Sequence, residues 1–191
     1  MMNSTKKGLA LGCCLALLLC FWASPLLAEE AEPAVGLVLG PVTFSAPMSD
    51  ADAKYLGLAK AGPFTLKDVK SPYVLVEQFN TSCPHCMHEA PFLDQIFDQV
   101  QQDPNLKGKL KFLGAAQGSD SGPVMAWKVM QKVQFPLVPD PNSALGKSGL
   151  NFTPYPVTFI VDNSTGKIVW VEIGAIDNVD EAMQGIKAAV K

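Results

Sequence analysis

Apolar residues recur along the chain in two patterns, short β-rich runs and longer stretches with three- and four-residue spacing. The run Tyr73-Val74-Leu75-Val76-Glu77-Gln78-Phe79, bounded by Ser71-Pro72 and Asn80-Thr81-Ser82, predicts a buried strand. After it, Ala90, Leu93, Ile96, Phe97 and Val100 mark one apolar face of a helix. That helix should stop near Asp103-Pro104, because proline disfavours the helical conformation of its predecessor. A second strand is expected over 110–116, a second helix over 124–133 and a short strand over 135–138. The runs 157–161 and 168–173, joined by Asp162-Asn163-Ser164-Thr165-Gly166, predict a hairpin, and 179–190 a closing helix. Within 37–70, Val42-Thr43-Phe44 and Phe64-Thr65-Leu66 predict a hairpin-like extension with a short helical piece near 51–58. The order is βαβ, an inserted helix, then ββα, an α/β arrangement.

Hydropathy changes character at the N-terminus. Lys6 and Lys7, an apolar run over 8–27, and Ala28 before Glu29-Glu30 match an export signal cleaved after Ala28. Leu26 departs from the small residue usual near such a site, and the run is long enough to span a bilayer uncut. A retained anchor is therefore the competing reading for 1–28, and the chain's only expected contact with a membrane surface. Leu19 is too bulky for lipoprotein cleavage before Cys20. Residues 29–36, acidic and rich in Ala and Pro, read as a tether, and 37–191 as one domain. Acidic residues outnumber basic ones by 18 to 15, and every basic residue is Lys. That balance argues against a nucleic-acid partner, whose binding rests on Lys and Arg contacts to phosphates.

Removing 1–28 takes Cys13, Cys14 and Cys20 with it and leaves Cys83 and Cys86, in Cys83-Pro84-His85-Cys86. Two thiols two residues apart at a helix start can close a small reversible disulfide, the requirement of thiol–disulfide exchange. An exported protein meets an environment where such a pair can be oxidised. A structural disulfide and half of a zinc site are the rival readings. The zinc reading lacks a second cysteine pair, and His85 and His88 sit within the same turn.

Several positions now carry a resemblance. They are the strand–Cys-Pro-His-Cys–helix junction, Pro91 after Cys86, Tyr155-Pro156 directly before a strand, Gly174-Ala175 after the last strand, and Glu77 ahead of Cys83. Over roughly 40–191 the chain resembles the thioredoxin fold family. The resemblance implies a mixed central sheet flanked by helices, with an N-terminal extension and a short insertion before a cis proline. It makes Cys83 the exposed attacking thiol, Cys86 the more buried resolving thiol, and Pro91 a kink in the helix. Pro156 would be the cis proline, with the Tyr155 backbone pairing with substrate, and Gly174 would let a substrate chain approach. Pro84 and His85, between the thiols, join these substrate-facing positions. Glu77 would be a buried acid that moves the proton of the resolving thiol. Plainer readings stand beside these: a trans proline at a strand entrance, Pro154 as the relevant proline, and a glycine that simply ends a strand.

Glu89 and the spacing Cys83-Pro-His-Cys-Met-His-Glu89-Ala-Pro91 resemble the TlpA/ResA branch, although an acid in a first helical turn is favourable in any protein. Pro84-His85 instead resembles DsbA-type oxidases, but the interval between Cys86 and Pro156 is too short for the helical domain DsbA inserts there. Ser82 and Phe79 replace aromatics common in the family. The combined reading is an exported thiol–disulfide oxidoreductase with TlpA/ResA architecture that needs no cofactor, since the disulfide itself carries the electrons. It implies a reductant of the cytochrome c maturation type, acting on cysteine-containing exported proteins and regenerated by a membrane redox partner. The alternatives are a DsbA-like oxidase, and a Cu(I) chaperone using Cys83, Cys86 and His85 or His88.

Overall fold

A computed structural model describes residues 34–150 and 155–191. The export signal and its anchor alternative, the three N-terminal cysteines, most of the tether and Pro154 lie outside the described residues. Among the described residues, no helix is long and apolar enough to cross a membrane.

Five strands form one sheet in the order β3-β2-β1-β4-β5, where β1 is Tyr73–Phe79, β2 Leu110–Gln117, β3 Leu137–Asp140, β4 Val157–Asp162 and β5 Ile168–Ile173. β1, β2 and β3 run parallel, and β4 is antiparallel to both β1 and β5. The sheet is mixed, as expected. Strand β1 lies at its centre and is covered on both faces, which is why its sequence is a continuous apolar run and not an alternation.

One face carries Leu75, Phe79, Phe112 and Ile160. It packs against α2 (Pro84–Gln102), α3 (Ser121–Gln131) and α4 (Val179–Ala189) through residues such as Leu93, Trp127 and Ile186. The other face, with Val74, Val76, Leu113 and Phe159, is covered by Phe44, Leu56, Phe64 and Leu66 of the N-terminal extension. That extension closes by an antiparallel bridge between Phe44 and Phe64, whose rings stack at 5.6 Å. Between them lies α1 (Asp50–Leu56), capped at its start by the Ser49 hydroxyl, which accepts the Asp52 N–H at 3.0 Å. It ends sooner than the expected 58, because Gly57 takes the left-handed conformation at φ 74°. The folded unit also begins before residue 37. Ala34 is buried and the Gly36 N–H bonds the Ile168 carbonyl at 2.8 Å, so the chain is tied to the sheet here while Val35 and Gly36 stay exposed.

Two boundaries differ from the expected ones for local reasons. Helix α3 begins at Ser121, where Pro123 costs no helical hydrogen bond in the first turn, and stops at Gln131 because Lys132 turns left-handed at φ 58°. Val133 stays buried beyond the helix, which is why apolar spacing alone carried the expectation too far. Strand β3 runs over Leu137–Asp140 and not 135–138, tolerating Pro139 because it is an edge strand. Phe135 instead enters an aromatic cluster with Phe97 and Phe112. Since β3 pairs only with 114–117, the upper edge of β2 is open, and the Phe112 N–H donates there to the Tyr55 hydroxyl of α1 at 3.0 Å.

Candidate active site at the start of helix α2

Strand β1 delivers the chain into a tight turn, Asn80-Thr81-Ser82, and then into α2. Cys83 occupies the N-cap, Pro84 the first helical position and Cys86 the third. Proline suits that first position because its missing N–H is one the helix would leave unpaired anyway. The Cys86 N–H donates to Cys83 Sγ at 3.2 Å, so the sulfur does the work of a capping oxygen. A negative sulfur at this place would also meet the positive end of the helix dipole. Both thiols are free; Cys83 is partly exposed and Cys86 fully buried. Pro84, His85 and His88 are exposed around them. Pro91 lies inside α2, which continues through it to Gln102.

The Tyr155–Pro156 peptide bond is cis. It sets the Tyr155 carbonyl 3.8 Å from Cys83 Sγ, within reach of the thiol as donor. Gly174 closes this side: its N–H donates to the Pro156 carbonyl at 3.0 Å, and its φ of 102° is one that side-chain-bearing residues rarely adopt. Open space surrounds the position where its Cβ would stand.

Behind the thiols the environment is apolar and acidic. Burial above all pushes the Cys86 thiol well up, and the neighbouring Cys83 and Glu77 add to this, while the Asn80 backbone N–H facing its sulfur works the other way. Glu77 is buried in the middle of β1, and loss of water drives its carboxyl well above the ordinary range, reinforced by Glu89, Asp94 and Cys83. Its neighbours in the sheet are Gly114 on one side and Thr158 on the other. A Cβ at Gly114 would stand 3.1 Å from Glu77 Oε2 and against Leu137 Cδ2, so the glycine provides the space the carboxyl occupies.

Glu89, from the second turn of α2, is fully buried. Its Oε1 accepts from the Thr158 hydroxyl and from the Ile176 N–H, each at 3.3 Å, while Oε2 has no hydrogen-bond partner among the described residues. Burial pushes its pKa up to about 7, against the two donors, with Glu172 adding to the rise. Thr158 therefore joins the two acids, facing Glu77 across the strand pair and bonding Glu89 from the helix. The hydrogen bonds of Glu89 do not reach either thiol; its charge adds to the rise of Glu77, which in turn adds to that of Cys86.

Several residues of this site were not singled out from sequence. Asn80 ties the turn to β2, Thr81 bonds Ser119 between hydroxyls at 3.0 Å, and Gly114 and Thr158 shape the acidic interior. A glycine inside the β-rich run 110–116 was a visible signal of close approach. A cavity of about 330 Å³ lies at the other end of β4, between the N-terminal extension and the β4–β5 turn, and gathers no thiol, imidazole or carboxylate. Among the described residues, no three Cys, His, Asp or Glu side chains are grouped so as to hold a metal ion.

Known proteins agree with this architecture. The thioredoxin domain of a thiol-disulfide oxidoreductase from Bacteroides vulgatus superposes with a TM-score of 0.62 at 19% identity, covering 84% of this chain and 100% of that one. A secreted Mycobacterium tuberculosis disulfide oxidoreductase, homologous to E. coli DsbE, gives 0.56 at 17% identity over 76% of this chain and 94% of its own. StoA from Bacillus subtilis gives 0.55 at 16% identity over 81% and 99%. No curated protein matches the sequence. The AhpC/TSA family model matches residues 44–171, which run from the N-terminal extension into β5 and include both thiols, Glu77, Glu89 and Pro156, and the chain therefore belongs to the AhpC/TSA family, on a thioredoxin-like fold.

Proposed function

We propose that the chain is an exported thiol–disulfide oxidoreductase in which Cys83 and Cys86 exchange a disulfide with cysteines of other exported proteins. The observation that carries this is the pair itself: a partly exposed sulfur at a helix N-cap, held by the N–H of a buried second thiol and faced by the Tyr155 carbonyl. Family membership and the fold of the oxidoreductases named above support the same class. In the reducing direction the Cys83 thiolate attacks a substrate disulfide, forms a mixed disulfide and releases one substrate thiolate, which takes up a proton. Cys86 then gives its proton to ionised Glu77 and attacks the Cys83 sulfur. The second substrate thiolate leaves, so the substrate gains two electrons and two protons while Cys83–Cys86 becomes the disulfide. In the opposite direction, neutral Glu77 returns its proton to the departing Cys86 sulfur. Its raised pKa suits both tasks, because it narrows the gap between carboxyl and thiol.

The backbone of Tyr155, the open space at Gly174, and exposed Pro84 and His85 would face the substrate. The N-terminal extension and the Glu89 position favour the TlpA/ResA-like role, a periplasmic reductant of the cytochrome c maturation type recharged by a membrane partner. Exposed His85, next to an N-cap sulfur, is the observation that favours the alternative, a DsbA-like oxidase. A Cys86→Ser variant tests the class, since it should trap substrates as mixed disulfides on Cys83. Recovery of no disulfide-linked protein under exchange conditions, with the parent chain unable to exchange with a model disulfide, would remove the enzyme reading.

A further inference from the structure

The β1–β2 ladder ends at Phe79 and Ala116, and one step further Asn80 and Gln117 would form its next pair. There the main chain leaves the sheet to enter α2, and the side chain of Asn80 takes over. Its Nδ2 donates to the Gln117 carbonyl at 3.0 Å, while its Oδ1 accepts the Ser82 N–H at 2.8 Å. The Asn80 backbone is thereby freed for the thiols. Its carbonyl accepts the Cys83 N–H at 3.1 Å, seating Cys83 at the N-cap, where its sulfur accepts the Cys86 N–H at 3.2 Å. Gln117 is itself held, accepting the Gln78 side-chain amide at its Oε1, 2.6 Å away. One asparagine thus spans the end of β2, the turn and Cys83.

We propose that Asn80 is a positioning residue for the thiol pair: its side-chain amide pins the β1–α2 turn to Gln117 so that its own carbonyl holds Cys83 at the N-cap, where the Cys83 sulfur meets the Cys86 N–H. This rests on the exchange reading above. An ordinary turn-forming role needs only the acceptor Oδ1, which aspartate supplies equally well. The pinning role needs the donor Nδ2, which aspartate lacks, and a carboxylate would in addition be repelled by the Gln117 carbonyl. The two roles therefore separate at Asn80→Asp.

The experiment equilibrates the full chain with reduced and oxidised dithiothreitol. Reduced dithiothreitol gives two electrons and two protons to the Cys83–Cys86 disulfide, yielding two thiols and cyclic oxidised dithiothreitol. Alkylation then reads the dithiol fraction for the parent, Asn80→Ala, Asn80→Asp and Thr65→Ala. The last removes a cap hydroxyl that donates to Asp68 in the 3-10 turn at Leu66–Asp68, and controls for destabilisation alone. Loosening the turn lets Cys83 shift off the N-cap and withdraws the Cys86 N–H from its reduced sulfur, so the equilibrium should move toward the disulfide by about five- to tenfold in both Asn80 variants, the effect of one hydrogen bond. Thr65→Ala should lower the melting temperature without moving it. Equilibrium constants within about twofold of the parent in Asn80→Asp, whether or not Asn80→Ala folds, would overturn the proposal. A parent chain with no measurable couple would overturn the exchange reading itself, a result distinguishable from an unresponsive variant.

Discussion

Gly114 stands directly opposite Glu77 in the β1–β2 pair, and a methyl group there would lie 3.1 Å from the Glu77 Oε2. The same methyl would press on Leu137 Cδ2 of the edge strand. Gly114→Ala should therefore destabilise the protein by about 1–3 kcal/mol, the usual cost of overfilling a packed interior. In Glu77→Ala the carboxyl is gone and part of the crowding with it, so the double variant should lose less than the sum of the two single losses. Urea unfolding of the four proteins checks this, and strict additivity would show that Gly114 answers to Leu137 alone.

Glu89 makes stability depend on pH with a definite sign. Its folded pKa of about 7 lies above the ordinary 4.5, so between these values the folded chain holds a proton that the unfolded chain has lost. Its contribution is complete below pH 4.5 and fades as pH rises through about 7. The difference in unfolding free energy between the parent and Glu89→Gln should accordingly fall by up to about 3 kcal/mol over that window. Urea titrations at several pH values measure it, and a flat difference would mean that the buried carboxyl is no more basic than a solvated one.

The direction of electron flow is read from one equilibrium. A strong oxidant stores its driving force in a stabilised thiolate of the reduced state. Here burial above all, then Cys83 and Glu77, hold the Cys86 thiol unionised, so that sulfur stores no oxidising driving force in the reduced pair. Equilibration with glutathione or dithiothreitol should place the potential at about −270 mV or lower, in the range of thioredoxin. A value near about −120 mV, that of DsbA, would assign the chemistry to Pro84-His85 and make the protein an oxidase.

Tyr55 supplies the acceptor for a strand N–H that β3 does not reach, at 3.0 Å from Phe112 N. Burial pushes its phenol up to about 12, so it stays neutral at any working pH. Tyr55→Phe keeps the ring beside Phe97 but leaves a buried donor unpaired, which should cost about 1–3 kcal/mol. Thermal or urea unfolding tests it. A loss below a few tenths of a kcal/mol would show that solvent takes the place of the hydroxyl.

Much of the architecture could be read from local pattern. Each strand of the sheet and each of the three long helices produces a run or a spacing in its own residues, and Cys83 and Cys86 announce themselves because two thiols at that spacing have few uses. The boundaries that moved lie where long-range packing overrode local preference. Val133 is apolar because it is buried after α3, not within it, and Phe135 because an aromatic cluster takes it out of β3. Pattern alone does not separate these cases, since burial leaves the same apolar signature whichever element delivers it.

The chemistry divides along the same line. The order of residues placed two thiols at the head of a helix and an acid in a buried strand, because capping, proline geometry and apolar runs act between near neighbours. It did not say that Gly114 would open a space for Glu77, that Thr158 would join Glu77 to Glu89, or that the Asn80 amide would reach Gln117. Those partners are 37, 69 and 37 residues apart for Asn80–Gln117, Thr158–Glu89 and Glu77–Gly114. They meet only because the register of β1 with β2 and β4 carries them together. Burial and charge at such meetings depend on every neighbour at once, so the protonation of the site belongs to the folded molecule and not to any one stretch of its chain.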